Sequence, residues 1–552
     1  MMNENLTTEQ LNTIPKEALV FMYEQLLSVC QKQSDQIDSL QKQLTNIQES
    51  LALLTQHRFG RKTEKPESMP GQMVIDFENS CIINELELLV DAMHPAEQSE
   101  SDVIIKRTHK SRPAGKREDD LKSLPCLVVP HELPKSRLEE LFPNGFKELP
   151  DEVYREVVMH PKWFEVLEHH VKVYADKAGD RIIRADKPAR LIPNSVATPS
   201  LVAGIINGKY GNANPFNRLS VSFLSHGINI PRQNMARWCI LVSELYLEKI
   251  FDAMHQELLT SQLIHADESP FKVAAEMKER GPESKCYMWV YHTDQQYGSH
   301  PVFLYHYCST RSADNPRDFL QGYKGILMTD GYQVYHKLQK ERPDELKVAG
   351  CWAHAKRRFA NLIKAVKAEN AKGTVAYEAN QRIAAIYHLD NMYKDSTSEE
   401  RLKYRQATVK PLVDALFEYF NSVSPMIDGS SETGKAVRYC LNQEEFLRAF
   451  LDNPMIPFDN NDAERSIRSF CVGRANWHII DSKAGAKSSG ILYSIVETAK
   501  ANGLKVFYYL SYILEELANH PGDQSQEFIT RLLPWSDQLP ENCYLDLKKK
   551  TD

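Results

Sequence analysis

The chain has 552 residues, of which 42% are hydrophobic and 26% charged, so it is long enough for several domains and at least one sizeable core. It has no run of about 18 apolar residues and no basic start followed by an apolar run, which predicts a cytoplasmic protein without a membrane span. Ten scattered cysteines without a CxxC pair argue against a disulfide framework. The net charge of −7 does not by itself exclude DNA binding, because basic residues can be clustered.

A long helix is predicted over about residues 16–57, because apolar residues repeat at heptad spacing. One heptad position holds Leu26, Leu40, Ile47 and Leu54, the other holds Tyr23, Cys30, Ile37, Leu44 and Leu51, and only Gln33 interrupts the stripe. This pattern indicates a coiled coil and self-association. The alternative is a helix packed on its own domain.

Two basic segments follow. The first, RFGRKTEKPE (58–67), contains Arg58, Arg61 and Lys62, and we expect these residues to contact DNA. In the second, IKRTHKSRPAGKR (105–117), seven of thirteen residues are Lys, Arg or His. The second segment is either a solvated linker or an arm that contacts phosphates.

The middle of the chain changes from strands to helices. Residues 120–190 read as β-rich and irregular, with strand-like alternation in WFEVLEHHVKVYAD (163–176). Residues 219–240 have the pattern of a helix, a glycine-containing turn and a second helix. That pattern is compatible with a helix-turn-helix, although the signal is weak by itself.

An α/β pattern begins at residue 262. Five strands are predicted, in SQLIHADESPFKV, KCYMWVYHT, PVFLYHYCST, KGILMTDGY and LKVAGCWAH. Residues 356–450 are almost entirely helical by periodicity. Two further helices are predicted around residues 459–471 and 487–518.

Three acidic residues stand out by their position. Asp267 lies in the first strand, Asp330 ends the fourth strand, and Glu464 lies much further along the chain, near the start of a later helix. Phosphodiester cleavage uses two metal ions about 3.5–4 Å apart, and Mg²⁺ takes few protein ligands, so three carboxylates suit such a site. Each acid taken alone is more typical of a strand-end or helix N-cap carboxylate, and it is their order and context together that favour a shared site.

Neighbouring residues qualify this prediction. Glu268 competes with Asp267, but adjacent strand residues point to opposite faces, so only one of them joins the site, and His265 shares the face of Asp267. On the later helix, Asn460, Glu464 and Arg468 share a face, beside an apolar stripe of Ala463, Ile467 and Phe470 that would dock on the sheet. Arg468 would bind a DNA phosphate or form a helix salt bridge.

Further basic residues are candidates for DNA contact. His354, Arg357 and Arg358 lie within one helical turn and would bind phosphate, or form a solvated helix start. Arg474 is a further candidate in VGRANW (472–477), where Trp477 would stack on a base or belong to the core.

These residues resemble the large transposase subunit of the insertion sequence 66 family of bacterial mobile elements. The resemblance runs through FGRKTEK, RLIPNSVATPSLVAGIINGKY, LIHADESP, GILMTDGY, CWAHAKRRF, DNNDAERSIR and YSIVETAKANGL, in that order, with LLPW near the end. It implies an RNase H-like catalytic core with an all-helical insertion before the last acid. It also implies that Asp267, Asp330 and Glu464 form a DDE catalytic triad that binds two Mg²⁺ or Mn²⁺ ions.

Two departures from the family pattern concern other sites. The family usually has a zinc-binding segment with paired cysteines before RLIP, whereas residues 120–190 contain only Cys126, and Asp176 stands where a cysteine is expected. Because a zinc site needs about four ligands, we expect no zinc. The family also tends to have a Lys where Ala475 stands.

The predicted fold class is therefore multidomain α/β: an RNase H-like core with an all-α insertion, preceded by an N-terminal coiled coil and a helical DNA-binding region. The predicted segments are a coiled coil (1–57), a linker or DNA-contacting arm (58–119), a β-rich degenerate zinc-binding-like segment (120–196), a helical segment (197–257), the first part of the core (258–360), the helical insertion (361–455), the second part of the core (456–510) and a C-terminal segment (511–552).

The resemblance implies metal-dependent cleavage at transposon ends and 3′-OH strand transfer into target DNA. Double-stranded DNA, further copies of the chain and small accessory proteins of the same element are the expected partners. Two alternatives remain: a metal-dependent nuclease of the same fold without strand transfer, since fold does not fix function, and an inactive DNA-binding relative.

Overall fold

The computed structural model describes residues 126–142, 146–160, 163–176, 182–366, 371–523 and 525–545, and separate helical positions between Lys16 and Ile47. The side chains of residues 149, 160, 163 and 462–464 are outside that description. Among the described residues, no helix is both long and apolar enough to span a bilayer. The chain divides into two compact units, one containing residues 350–459 and the other containing the described residues 126–349 and 460–545.

A four-stranded sheet opens the larger unit. Its elements are β1 (Cys126–His131), α1 (Lys135–Leu141), β2 (Phe146–His160), β3 (Trp163–Asp176) and β4 (Ile182–Arg184). Strand β3 pairs in parallel with β1 and antiparallel with β2 and β4. Apolar residues from α1 and from one face of the sheet form a small core, made of Leu138, Phe142, Val171, Tyr174 and Ala185.

Four helices follow the sheet: α2 (Pro199–Ile206), α3 (Phe216–Ser225), α4 (Arg232–Val242) and α5 (Glu248–Leu259). Helix α2 begins at Thr198, whose hydroxyl accepts a hydrogen bond from the Leu201 N–H, and residues 201–206 are all buried. A helix buried on every side belongs to the interior of a domain.

The second sheet is the centre of the larger unit. Its strands are β5 (Leu263–Val273), β6 (Cys286–Thr293), β7 (Val302–Cys308), β8 (Gly325–Thr329) and β9 (Leu346–Gly350), with helices α6 (Ala274–Arg280), α7 (Asp314–Phe319) and α8 (Gln333–Glu341) between them. The spatial order is β7-β6-β5-β8-β9. Strand β6 is antiparallel to β5 and β7, whereas β8 is parallel to β5. The first strand is therefore central, and both of its sides are paired.

The smaller unit is helical between residues 352 and 452. Its helices are α9 (Trp352–Val366), α10 (Val375–Met392), α11 (Ser398–Tyr404), α12 (Lys410–Val423), α13 (Glu432–Asn442) and α14 (Glu444–Asp452). Trp352 stacks on Phe458 with 5.2 Å between ring centroids. Arg405 is fully buried and binds Asp390 through Nε at 2.6 Å and Nη2 at 3.0 Å. These contacts give the unit its own core.

The chain then returns to the larger unit. Its last elements are α15 (Asn461–Trp477), β10 (Ile479–Ile480), α16 (Lys483–Ala501), α17 (Val506–Asn519) and α18 (Gln526–Leu532). Helices α16 and α17 are separated at Gly503, which has a φ of 71°. The short β10 pairs in parallel with the end of β5, so segments from before and after the helical unit contribute to one sheet.

Helix α16 covers the outer edge of β7. The Ser494 hydroxyl accepts a hydrogen bond from the Tyr305 N–H at 2.7 Å, and the Thr498 hydroxyl accepts one from the Phe303 N–H at 3.0 Å. A Cβ placed on Gly490 would lie 2.6 Å from the Tyr305 carbonyl oxygen, so this close approach requires glycine. Small residues of α16 thus bring the helix onto the backbone of an edge strand.

Candidate active site on the central sheet

The register between β5 and β8 brings two of the candidate acids to one level of the sheet. Leu263 pairs with Ile326, Ile264 with Leu327 and His265 with Met328. The number of positions from Asp267 to Asp330 in the sequence equals the number between the two members of each of these pairs. Because neighbouring parallel strands keep their register, the pairing extended two positions beyond His265 sets Asp330 opposite Asp267.

Asp267 lies on the side of the sheet that faces helix α15. Its Oδ1 accepts a hydrogen bond from the Glu268 N–H at 2.8 Å. Burial raises the pKa of the Cys471 thiol in α15, and the Asp267 carboxylate adds to that rise. The carboxylate therefore acts on the same helix that contains Glu464.

Glu268 points to the other face of the sheet, as strand alternation predicts. Its side chain is buried, and its carboxylate accepts hydrogen bonds from the Arg311 Nε at 2.8 Å and the Tyr335 hydroxyl at 3.0 Å. Burial raises the pKa of Glu268 to about 7, and the Asp330 carboxylate adds to that rise. Glu268 is thus held by its own partners but lies within electrostatic reach of Asp330.

Asp330 begins a short turn after β8 that Arg311 braces. The Asp330 Oδ1 accepts a hydrogen bond from the Tyr332 N–H at 2.9 Å. The Arg311 guanidinium lies 3.7 Å from the centroid of the Tyr332 ring, and the Tyr332 hydroxyl donates to the Arg311 carbonyl at 2.8 Å. Arg311 therefore contacts both Glu268 on β5 and the turn that contains Asp330. Arg311 lies in the loop after β7, and no motif in the sequence around it indicates that it contacts these two elements.

Helix α15 runs along β5 in the direction of the strand. At its start, the Asn460 side chain contacts His265 (2.5 Å between Oδ1 and Nδ1) and donates to the Ala266 carbonyl at 3.2 Å. Further along, Cys471 contacts Ser269 at 3.3 Å and Phe470 packs on Phe271. Glu464 belongs to this helix, between these two points of attachment, and its side chain lies outside the described residues.

The predicted apolar stripe of α15 is buried where it is described, since Ile467 and Phe470 are both in the core. The basic candidates of this helix differ from each other. Arg468 is exposed, whereas Arg474 donates to the Ser269 hydroxyl at 3.0 Å and to the Pro270 carbonyl. Trp477 is half-buried and packs edge-on against the buried Phe470 with 5.7 Å between ring centroids.

The other basic candidates lie elsewhere in the chain. His354, Arg357 and Arg358 belong to α9 in the helical unit, where the Arg358 guanidinium lies 4.1 Å from the centroid of the Tyr439 ring. Arg58, Arg61 and Lys62 are outside the described residues.

The donors available for a metal ion at this site are carboxylate oxygens. Across the residues that the structure describes, which do not include the Glu464 side chain, no group of three or more His, Cys, Asp or Glu side chains could hold a metal. Asp267 and Asp330 supply the oxygen ligands that hard divalent cations prefer. The residues thus fit Mg²⁺ or Mn²⁺ rather than a soft metal.

An α/β core with one acidic residue inside its central strand and another directly after the neighbouring parallel strand is a suitable frame for chemistry on phosphodiesters. The family model described as Transposase IS66 family matches residues 194–488, and the IS66 C-terminal element matches residues 494–535. The chain belongs to the IS66 transposase family, which assigns it to transposition and confirms the resemblance drawn from its motifs.

Three curated relatives come from one bacterium, Sinorhizobium fredii. The uncharacterized protein y4qI is 29% identical over 388 residues, which cover 69% of this chain and 70% of that protein. The uncharacterized protein y4hP is 27% identical over 390 residues, covering 68% of each chain. A third, y4jD, is 26% identical over 371 residues, covering 66% of this chain and 71% of that protein.

Proposed function

We propose that this chain is a DDE transposase that cuts DNA at transposon ends and joins the freed 3′-OH to target DNA, with Asp267, Asp330 and Glu464 as its catalytic acids. The observation that carries the proposal is the register between β5 and β8. Residues paired across these two strands are as far apart in the sequence as Asp267 and Asp330 are. Continued two positions further, this register would bring the two aspartates to one level of the sheet.

The position of Glu464 supports its place as the third acid. Asn460, which precedes α15, and Cys471 and Arg474 within it contact β5 between His265 and Pro270. Residues 460, 464, 467, 471 and 474 follow the spacing of a single helix face. Position 464 therefore belongs to the same row as the residues that contact the strand of Asp267.

The strand order supports an RNase H-like core. The first strand is central, the second and third continue the sheet in antiparallel pairs on one side, and the fourth pairs in parallel on the other. The helical unit of residues 350–459 lies in the sequence between Asp330 and Glu464, as the family resemblance implies for an insertion before the last acid.

The three acids would hold two Mg²⁺ or Mn²⁺ ions, which supply activation of the attacking oxygen and stabilisation of the leaving oxygen when bound. The chain's own residues hold these acids in place. Asn460 fixes the start of α15 to β5, and Arg311 holds the turn of Asp330 against the same strand. Arg468, exposed one helical turn after Glu464, would contact a DNA phosphate near the acids.

The test uses a plasmid that carries the coding sequence with its native flanking DNA. Asp267→Asn, Asp330→Asn and Glu464→Gln should each abolish Mg²⁺-dependent cleavage and strand transfer but leave DNA binding in EDTA largely intact, because each removes a charge without changing shape. Glu268→Gln should have a much milder effect, and Asp344→Asn, at an exposed aspartate of the same unit, should have none. Full activity in any of the three acid variants would contradict the assignment. Cleavage without joined products would indicate a nuclease instead.

A further inference from the structure

One long stretch of this acidic chain contains no acidic residue at all. Between Lys187 and Ser243 there is neither Asp nor Glu, although the whole chain has 74 of them in 552 residues. The same stretch has six basic residues, which are Lys187, Arg190, Lys209, Arg218, Arg232 and Arg237. A local positive charge within a negative chain is the electrostatic pattern of a nucleic-acid contact.

Three of these six basic residues are engaged inside the protein. The Arg190 Nε donates to Glu156 at 3.3 Å, the Lys187 Nζ lies 5.2 Å from the centroid of the Tyr154 ring, and Lys209 is buried against the Phe216 ring at 4.3 Å. The other three, Arg218, Arg232 and Arg237, are exposed on α3 and α4. The outward charge of the stretch is therefore concentrated on one pair of helices.

Helices α3 and α4 form a helix-turn-helix that is connected by residues 226–231. Gly227 takes a φ of 84° in this connection, and the Ser220 hydroxyl of α3 donates to the Ile230 carbonyl at 2.7 Å. Helix α3 buries Leu219 and Phe223, and Phe223 packs on Phe164 of β3 with 4.9 Å between ring centroids. Helix α3 thus fixes the pair to the body of the larger unit.

Helix α4 buries one face and exposes the other. Its buried residues are Met235, Trp238, Cys239 and Val242. Arg232, Gln233 and Arg237 are exposed, and Gln233 and Arg237 are neighbours on one face because they are one helical turn apart. The open face therefore presents two kinds of side chain that bind base edges, an amide and a guanidinium.

The exposed arginines of α3 and α4 differ in their ion pairing from most other arginines of the larger unit. Arg155, Arg184, Arg280, Arg311, Arg317 and Arg342 each bind a carboxylate. Within the described residues, Arg218, Arg232 and Arg237 have no such ion pair. No carboxylate of the described residues therefore neutralises their charge, as a surface that binds phosphate requires.

We propose that α4 enters the major groove of double-stranded DNA, where Gln233 and Arg237 bind base edges while Arg218 and Arg232 contact phosphates. An α-helix fits a major groove about 12 Å wide, and glutamine and arginine pair in bidentate fashion with adenine and guanine respectively. The deep, narrow major groove of duplex RNA would not admit the helix. This inference rests on the proposed function, for which it names the surface that recognises a DNA sequence.

The experiment measures binding by the full-length chain in EDTA, so that cleavage does not contribute. A pool of duplex DNA with a randomised centre is selected with the unchanged protein, and the enriched duplex is then titrated. Gln233→Ala and Arg237→Ala should each weaken binding about 5- to 150-fold and relax the selected sequence at one or two positions. Arg218→Ala should weaken all duplexes equally and lower the salt slope by about 1.

The matched control is Arg137→Ala, which removes an exposed arginine paired with Glu140 elsewhere in the unit and should leave the selected sequence unchanged. Thermal unfolding verifies that every variant is folded. Gln233→Glu is a second variant of similar shape, and it should weaken DNA binding because its negative charge repels phosphate. An unaltered sequence preference in Gln233→Ala and Arg237→Ala, or tighter binding to duplex RNA than to DNA, overturns this inference and leaves the proposed function standing. Failure of the unchanged protein to bind any duplex at low salt would instead count against the proposed function.

Discussion

The side chains of His265 and Asn460 meet in the core, with 2.5 Å between the His265 Nδ1 and the Asn460 Oδ1. Both residues are buried. His265 lies in β5, two positions before Asp267, and Asn460 directly precedes α15, so the contact joins this strand to the start of the helix. This polar contact links the strand of one candidate acid to the start of the helix that contains another.

We expect Asn460 and His265 to be energetically coupled. Asn460→Ala removes the contact with His265 and the hydrogen bond to the Ala266 carbonyl, and the loss of a buried polar contact costs about 1–3 kcal/mol. In a double-mutant cycle with His265→Ala, denaturant unfolding should give a coupling energy of about 0.5–3 kcal/mol. Asn421→Ala, at an exposed helix position, is the matched control and should change stability little. Strict additivity of the two buried substitutions would show that the contact is not formed.

The second prediction concerns Arg311 and Glu268. Arg311→Met should destabilise the protein more than removal of a surface ion pair, whose usual value is about 0–1 kcal/mol, because it leaves the buried Glu268 carboxylate without its cation. Adding Glu268→Gln should recover part of the loss. Arg317→Met, which removes an arginine from the exposed pair with Glu341, is the control. Equal melting temperatures for Arg311→Met and Arg317→Met would argue against the bracing role of Arg311.

The third prediction is a loss of stability in mild acid. His169 is buried, and burial lowers its pKa to about 4, with His131 and Arg190 adding to the shift. The unfolded state, with a histidine pKa near 6.5, therefore binds more protons than the folded state between about pH 6.5 and 4, so stability should fall as pH falls through that window. His169→Gln should flatten this part of the pH profile, measured by thermal unfolding from pH 7 to 4. His520→Gln, at an exposed histidine, should not.

The fourth prediction concerns zinc, and the sequence motivates it. We expect well under one zinc per purified chain, because residues 120–190 contain a single cysteine and a zinc site needs about four ligands. In the sheet of this region, His131 and His169 contact each other, with 2.9 Å between their nitrogens, and His169 lies 3.1 Å from Glu156. Elemental analysis before and after chelation gives the answer. A stoichiometric zinc content that His169→Gln abolishes would reveal a site in this cluster.

The fifth prediction concerns the N-terminal helix. Tyr23, Ile37 and Leu44 of the heptad stripe are helical and between 55% and 66% exposed, so these apolar side chains are available to a partner. Deleting residues 1–57 should reduce self-association and paired-end cleavage and leave the core folded, as measured by light scattering and a paired-end substrate. Ile37→Asp with Leu44→Asp should act in the same way, whereas Gln31→Asp with Ser34→Asp, off the stripe, should not. An unchanged oligomeric state after deletion would favour packing within one chain.

Much of the central sheet could be predicted from the sequence. All five strands follow from short apolar runs such as KCYMWVYHT, and the mixed α/β class is confirmed by β5–β9 with their helices. The predicted single helix over 487–518 is two helices, α16 and α17, because Gly503 takes a left-handed φ after Asn502. A periodic apolar pattern continues across such a break, so the pattern alone does not reveal it.

Less of the candidate site could be predicted. The positions of Asp267 in the first strand and of Asp330 after the fourth follow from apolar runs, but the register between these strands is set by pairing over long sequence distances. Arg311 and Tyr335 act on Glu268 from two other elements, and no local pattern connects residues so far apart. The surroundings of Glu268, including its raised pKa, therefore emerge only from the folded chain.

The hydroxyl groups of Ser494 and Thr498 have a consequence for assembly. An uncovered edge strand is a template onto which a strand of another molecule can add, and the backbone of β7 would otherwise offer such a template. Because α16 occupies the N–H groups of Phe303 and Tyr305, β7 cannot be extended at these residues by a neighbouring copy. Any contact between two copies of the chain would therefore use surfaces other than this part of the β7 edge.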